Sequence, residues 1–211
     1  MLTASSTRLA AGVTIFGTRD DLERLYDTIT AIEERSGVPE SIGDFLLGLC
    51  YDVRHAFEGR RERSKETRDP GFKVLWPILL LQLGILRSLA SGQTLAAEER
   101  AILDQLQAAV EAALLEQDPF AGAECVEWLH EFGGVSPRYL IAFGPHMTYE
   151  YLFETRAGKA RFQNLPTILW SLDESSLPYR RFRKELEKAA AKAGCDPSQL
   201  EDTLEWPAIK W

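Results

Sequence analysis

The run from Phe72 to Ala90 constrains this chain most. Val74 to Leu81 is apolar without a break, and admitting Gln82 extends the run to Leu86, thirteen residues. A helix that crosses a bilayer needs roughly 20 apolar residues, so this run is too short to span one. A helix that is apolar on every side needs protein on every side. The segment is therefore expected to form the central helix of a core, surrounded by other helices. Asp69-Pro70 offers an entry and Ser91-Gly92 a stop, while Pro77 either marks the first turn or kinks the helix.

The surrounding sequence supplies such helices. Thr18, followed by Asp20 and Asp21, precedes Leu22, Leu25, Tyr26, Ile29 and Ile32 at helical spacing, and Gly37-Val38-Pro39 ends the run. Ser41 is expected to cap a second helix carrying Phe45, Leu46, Leu49, Val53 and Phe57. Gly59 to Asp69 reads as a charged, exposed loop. Thr94 opens the clearest amphipathic pattern, with Leu95, Ile102, Leu103, Leu106, Val110 and Leu114 on one stripe. Asp118-Pro119 starts the next helix, which ends at Gly133-Gly134. Ser136-Pro137 starts a short helix through Phe143, or Tyr139 to Phe143 is a buried strand. Thr148–Thr155 and Lys159–Leu172 read as helices, the second bent at Pro166. Ser175 or Ser176 caps a long helix closed by Gly194.

Ahead of all this, Val13 to Phe16 is β-branched and aromatic between two glycines, and is expected to pair with Leu2 to Ser5. The expected fold is mainly α, a single multi-helix domain with a small N-terminal β-hairpin or strand element. Residues 1–17 form the β element, 20–204 the helical body and 205–211 a docked tail, because Trp206, Ile209 and Trp211 are costly to leave in water. A chain of 211 residues with 45% hydrophobic content can bury such a core.

The formal net charge is -8, which weighs against a nucleic-acid partner. Two stretches run the other way, 54–68 at net +3 and 180–192 at net +4. Solvated helix faces explain them most simply. Cys50, Cys125 and Cys195 are odd in number and lack a CxxC pair, so no disulfide framework or zinc ribbon is expected. A cytoplasmic setting fits a reduced set of thiols and an N-terminus without a secretory signal. Nucleotide cradles, a GxSxG elbow and HExxH are absent from the sequence. No metal and no cofactor are expected.

The polar end of the second helix is the candidate site. Asp52, His55 and Glu58 follow one another at three-residue spacing and share a slowly drifting face, with Arg54 among them. A His between two carboxylates suits an oriented general base. It suits better a salt-bridged helix, in which the five donors of Arg54 tie Asp52 to a neighbouring element. Tyr51, Trp76 and Pro77 are the expected wall of a pocket there. His130 and His146 stand alone, on a short helix and in a turn.

Tyr-Asp-Val-Arg-His-Ala at 51–56, followed by Phe-Lys-Val-Leu-Trp-Pro at 72–77, resembles a family of uncharacterised bacterial proteins, a domain of unknown function. Gly12 to Gly17, Cys195-Asp196-Pro197 and Pro207 to Trp211 are the counterparts of that family's N-terminal strand, late segment and C-terminal end. An acidic residue often follows the Leu-Trp-Pro in the family, where this chain has Ile78. The resemblance implies a bacterial, cytoplasmic, single-domain protein and brings no activity with it.

The expected function is protein association rather than catalysis, with a partner or as a homodimer. The alternatives are a small-molecule-binding protein or enzyme using Asp52, Arg54, His55 and Glu58, and anion or nucleic-acid contact through 54–68 and 180–192. No membrane partner is expected.

Overall fold

The computed structural model describes residues 1–133, 137–200 and 206–211. Among them are eight α-helices and one four-stranded antiparallel sheet, a mainly α fold. No helix among the described residues is long and apolar enough to cross a membrane.

The chain opens with a hairpin, β1 (Thr3–Ser6) against β2 (Gly12–Phe16), with Thr3 opposite Phe16. The expected partner of β2 is therefore present, and β2 has a second one. Residues Pro70–Leu75 are a strand (β4), not the start of the central helix, and pair Gly12 opposite Leu75. Two further residues, Glu62–Arg63 (β3), pair with Gly71 and Pro70 and complete the order β1-β2-β4-β3. The physical reason lies in alternation. Phe72 and Val74 share a face with Val13 and Ile15 and are buried, whereas Lys73 and Leu75 lie on the opposite face, half-buried.

The central helix α3 (Trp76–Ser91) begins where the strand ends, with Pro77 in its first turn. The missing N–H of Pro77 costs nothing there. Leu79, Leu80, Leu81, Leu83 and Leu86 are buried on all its sides, as an all-round apolar helix requires. Around it pack α1 (Arg19–Ser36), α2 (Glu40–Phe57), α5 (Pro119–Glu131), α6 (Pro137–Tyr149) and α7 (Lys159–Trp170). The amphipathic α4 (Ala97–Gln117) packs beside β1, α1 and α5. The basic α8 (Leu177–Ala193) touches α6 and a short 3-10 turn at Pro197–Gln199.

Several ends follow from single residues. Thr18 and Asp21 form a capping box on α1, and Gly37 closes it in the left-handed region at φ 58°. Asp118 accepts from the N–H groups of Phe120 and Ala121 to start α5. Ser176 accepts from Tyr179 N–H to start α8. Other boundaries differ from expectation. α2 starts at Glu40 with no side-chain cap, so Ser41 lies inside it, and α4 starts after Ala96 rather than at Thr94. Tyr139 to Phe143 is helix, not strand, and Thr148–Thr155 divides between the end of α6 and one π-helical turn at Glu150–Glu154. Gly134 and Ser136, the expected stop and cap, lie outside the described residues, as do 201–205.

That π-turn serves the hairpin. Thr7, Ala10 and Ala11 in the turn between β1 and β2 are buried and Leu9 is half-buried, so the carbonyls there need partners. Tyr151 donates its hydroxyl proton to Ala10 O, and Arg161 donates to Leu9 O at 3.1 Å and to Leu152 O at 2.6 Å. Gly158 N–H also reaches Leu9 O, and Trp76 N–H reaches Ala11 O. Burial lowers the affinity of Arg161 for its proton and raises that of Tyr151. Two polar side chains from α7 and the π-turn thereby fasten the N-terminal strands to the helical body.

Candidate functional site

The polar residues of α2 lie on its last two turns. Gly59, at φ 79°, lets the chain reverse immediately after the helix. The reversal brings the next residues back alongside. Arg61 donates to Asp52 at 2.9 Å, and Arg60 stands 3.5 Å from Glu58. β3 continues the return, and Glu62 accepts from Lys73 of β4 at 2.8 Å. Between these two ion pairs opens a groove of about 400 Å³, with Leu75 and Ile78 as its apolar floor, the strand at Val74 beside them and Trp211 as one wall. The Lys73 ammonium lies 5.8 Å from the centre of the Trp211 ring, within cation–π range.

Asp52 is half-buried in the groove. Burial pushes its carboxyl up from the ordinary aspartate value, and the charges of Arg61 and His55 offset this only in part. The folded groove therefore costs the ionised form something, and a proton or a better-placed cation would relieve it. By contrast Asp21 lies below the ordinary value: burial raises it, but hydrogen bonds from the N-terminal amine and Thr18 outweigh that.

The expected site residues separate. Asp52 lines the groove. His55 sits behind it, largely covered, with Nδ1 3.6 Å from Glu58 Oε2 and without a hydrogen bond, its ring edge-on to Tyr51 at 4.2 Å. Arg54 does not reach Asp52. Two residues along a helix point to nearly opposite sides, so Arg54 is exposed, 5.9 Å from the Tyr51 ring centre. Arg61 takes the place expected of Arg54. Tyr51 is itself exposed and stacks under both guanidiniums, Arg61 also at 5.9 Å. Trp76 and Pro77 are buried in the core and do not line the groove; Leu75 and Ile78, one residue to either side, do.

Arg61, Glu62, Lys73 and Trp211 were thus not legible as one site. Their only local signals are a basic run, a polar–apolar alternation across 70–75 and an aromatic tail. The basic residues of 54–68 and 180–192 are in part neutralised by neighbours: Arg60, Arg61 and Arg183 each face a carboxylate. His130 pairs with Glu111 at 2.9 Å and His146 with Glu150 at 3.2 Å. Among the described residues no group of three or more His, Cys, Asp or Glu is placed to hold a metal ion.

A family model described as a domain of unknown function (DUF6904) matches residues 2–211, and the chain belongs to that family. No curated protein and no solved structure matches it.

Proposed function

We propose that this member of the DUF6904 family binds a small zwitterionic ligand in the groove beside Asp52. The observation that carries the reading is the juxtaposition of two ion pairs, Asp52–Arg61 and Glu62–Lys73, across an apolar floor that ends on the Trp211 indole. A ligand with an ammonium, a carboxylate and an apolar body would exchange partners with both pairs while covering Leu75 and Ile78. Asp52 is poised for that exchange, because burial raises the energy of its ionised form. Both carboxylates that line the groove, Asp52 and Glu62, are engaged by a cation, which supports a binding role.

The test is a thermal-shift screen against free amino acids, comparing native protein with Asp52→Asn and Arg61→Met. A ligand at a hundred times its Kd stabilises by about 2.7 kcal/mol, which for a chain of this size is a rise of roughly 5–10 °C. The rise should vanish in both variants. No rise with any amino acid, or an equal rise in both variants, overturns the reading.

A second reading, association between copies or with a protein partner, rests on Phe120. It is 84% exposed at the start of α5, with Leu115, also exposed, at the end of α4. An aromatic side chain so fully in water favours an interface. Sedimentation should then give a mass above the 23.8 kDa of one chain, and Phe120→Asp should return it to that value. A native protein that sediments as one chain at all concentrations removes the self-association.

A further inference from the structure

A second cavity, of about 310 Å³, lies at the far ends of α5 and α7. These helices pack together, and both end at the same level. α5 brings Trp128, Glu131 and Phe132 to it. α7 and the turn that follows bring Trp170, Asp173 and Glu174.

The aromatic side chains have distinct roles. Trp128 is 5% exposed and meets Phe132 edge-on, ring centres 5.2 Å apart. Phe132 is in turn seated on α3 at Gly84, where an added Cβ would fall 2.8 Å from its ring. That pair is fixed from behind. Trp170 is different: it is 37% exposed at the last position of α7, with its indole contributing to the cavity. The charge is of one sign. Glu131, Asp173 and Glu174 line the cavity, and among its described lining residues there is no Lys, Arg or His. Hydrogen bonds from the Ser175 side chain and from its N–H, the latter at 2.7 Å, lower the Asp173 carboxyl below the usual aspartate value.

We infer that this cavity binds a small organic ammonium ion, held against the Trp170 indole with Trp128 at its back and neutralised by Glu131, Asp173 and Glu174. Indole faces attract cations through the ring quadrupole, and most strongly an alkylated ammonium, which sheds its water easily. An inorganic cation would gain from the carboxylates but little from the rings, because it gives up its water at a higher cost. A neutral apolar molecule would gain from the rings but not from the carboxylates. Only an organic cation uses both. The site is separate from the groove beside Asp52 and does not depend on the function proposed for it.

Choline is the probe, followed by calorimetry and by the indole N–H resonances of the full chain, which has five tryptophans. Choline is expected to shift two of the five resonances saturably. Trp170→Leu should weaken it at least ten-fold and Glu131→Gln about three-fold, both exposed positions whose replacement leaves the melting temperature in place. The uncharged isostere 3,3-dimethylbutan-1-ol should bind at least ten-fold more weakly than choline. Equal binding of the isostere would mean an apolar cavity indifferent to charge. Equal competition by potassium chloride would mean an acidic cluster without aromatic recognition. Either result overturns the inference, as does unchanged choline binding in Trp170→Leu and Glu131→Gln together.

Discussion

Trp76→Ala is expected to lower the unfolding free energy by about 3–5 kcal/mol, the range for removing a large aromatic from a core. The indole is 0% exposed. It meets Phe162 of α7 edge-on at 6.0 Å, and its Nε1–H donates to Ser6 Oγ at 3.4 Å. One side chain therefore joins the hairpin, the start of α3 and α7. The elements around it are held by backbone hydrogen bonds at Ala11 and Leu9, which resist collapse into the space it leaves. Urea unfolding measures the loss. Trp76→Phe keeps most of the buried area and gives up the hydrogen bond, so its loss should be clearly smaller. An alanine variant that unfolds at the native urea midpoint would show that the indole is not part of the core.

Gly12→Ala is expected to cost about 3 kcal/mol or more, although it adds a single methyl group. Gly12 lies opposite Leu75 in the β2–β4 pairing, and a Cβ built there would fall 2.0 Å from Val74 O. The obstacle is backbone, so no rotamer change relieves it, and the two central strands must part. That exceeds ordinary overpacking of a core. Gly48 provides the opposite case. It lies inside α2, and the nearest atom to an added Cβ is Gln82 Nε2 at 3.8 Å. Gly48→Ala should therefore stabilise by roughly 0.5–1 kcal/mol through helix propensity alone. Thermal melts of the two variants should move in opposite directions. Equal, small shifts would mean that β2 and β4 are not in this register.

The contrast between these glycines shows where the sequence is informative. Both occur in ordinary local contexts, and only the register of a strand 60 residues away separates them. The same holds for Phe72 to Leu75. An uninterrupted apolar run satisfies a buried helix and a buried strand alike. What turns it into β4 is the open edge of β2, which no local pattern announces. Expecting one helix from Phe72 to Ala90 was correct from Trp76 onward and wrong before it.

The candidate site divides in the same way. Asp52 stood out because a carboxylate on a helix with an apolar opposite face is locally conspicuous. Its cation did not. Arg54 was the nearest by sequence, but helical geometry turns it aside, and the reversal at Gly59 delivers Arg61 instead.

The sequence by itself determined the mainly α class, a core helix within the apolar run and the helix ends at Thr18, Asp118 and Gly194. Each of these depends on residues within a turn or two of one another, where hydrogen-bond partners and periodicity are set by the chain's own geometry. Only the tertiary structure decided the four-stranded sheet, the ion pairs of the groove and the aromatic cavity between α5 and α7. Those depend on which distant segments come into contact, and contact between distant segments is chosen by the burial of the whole core rather than by any one stretch of it.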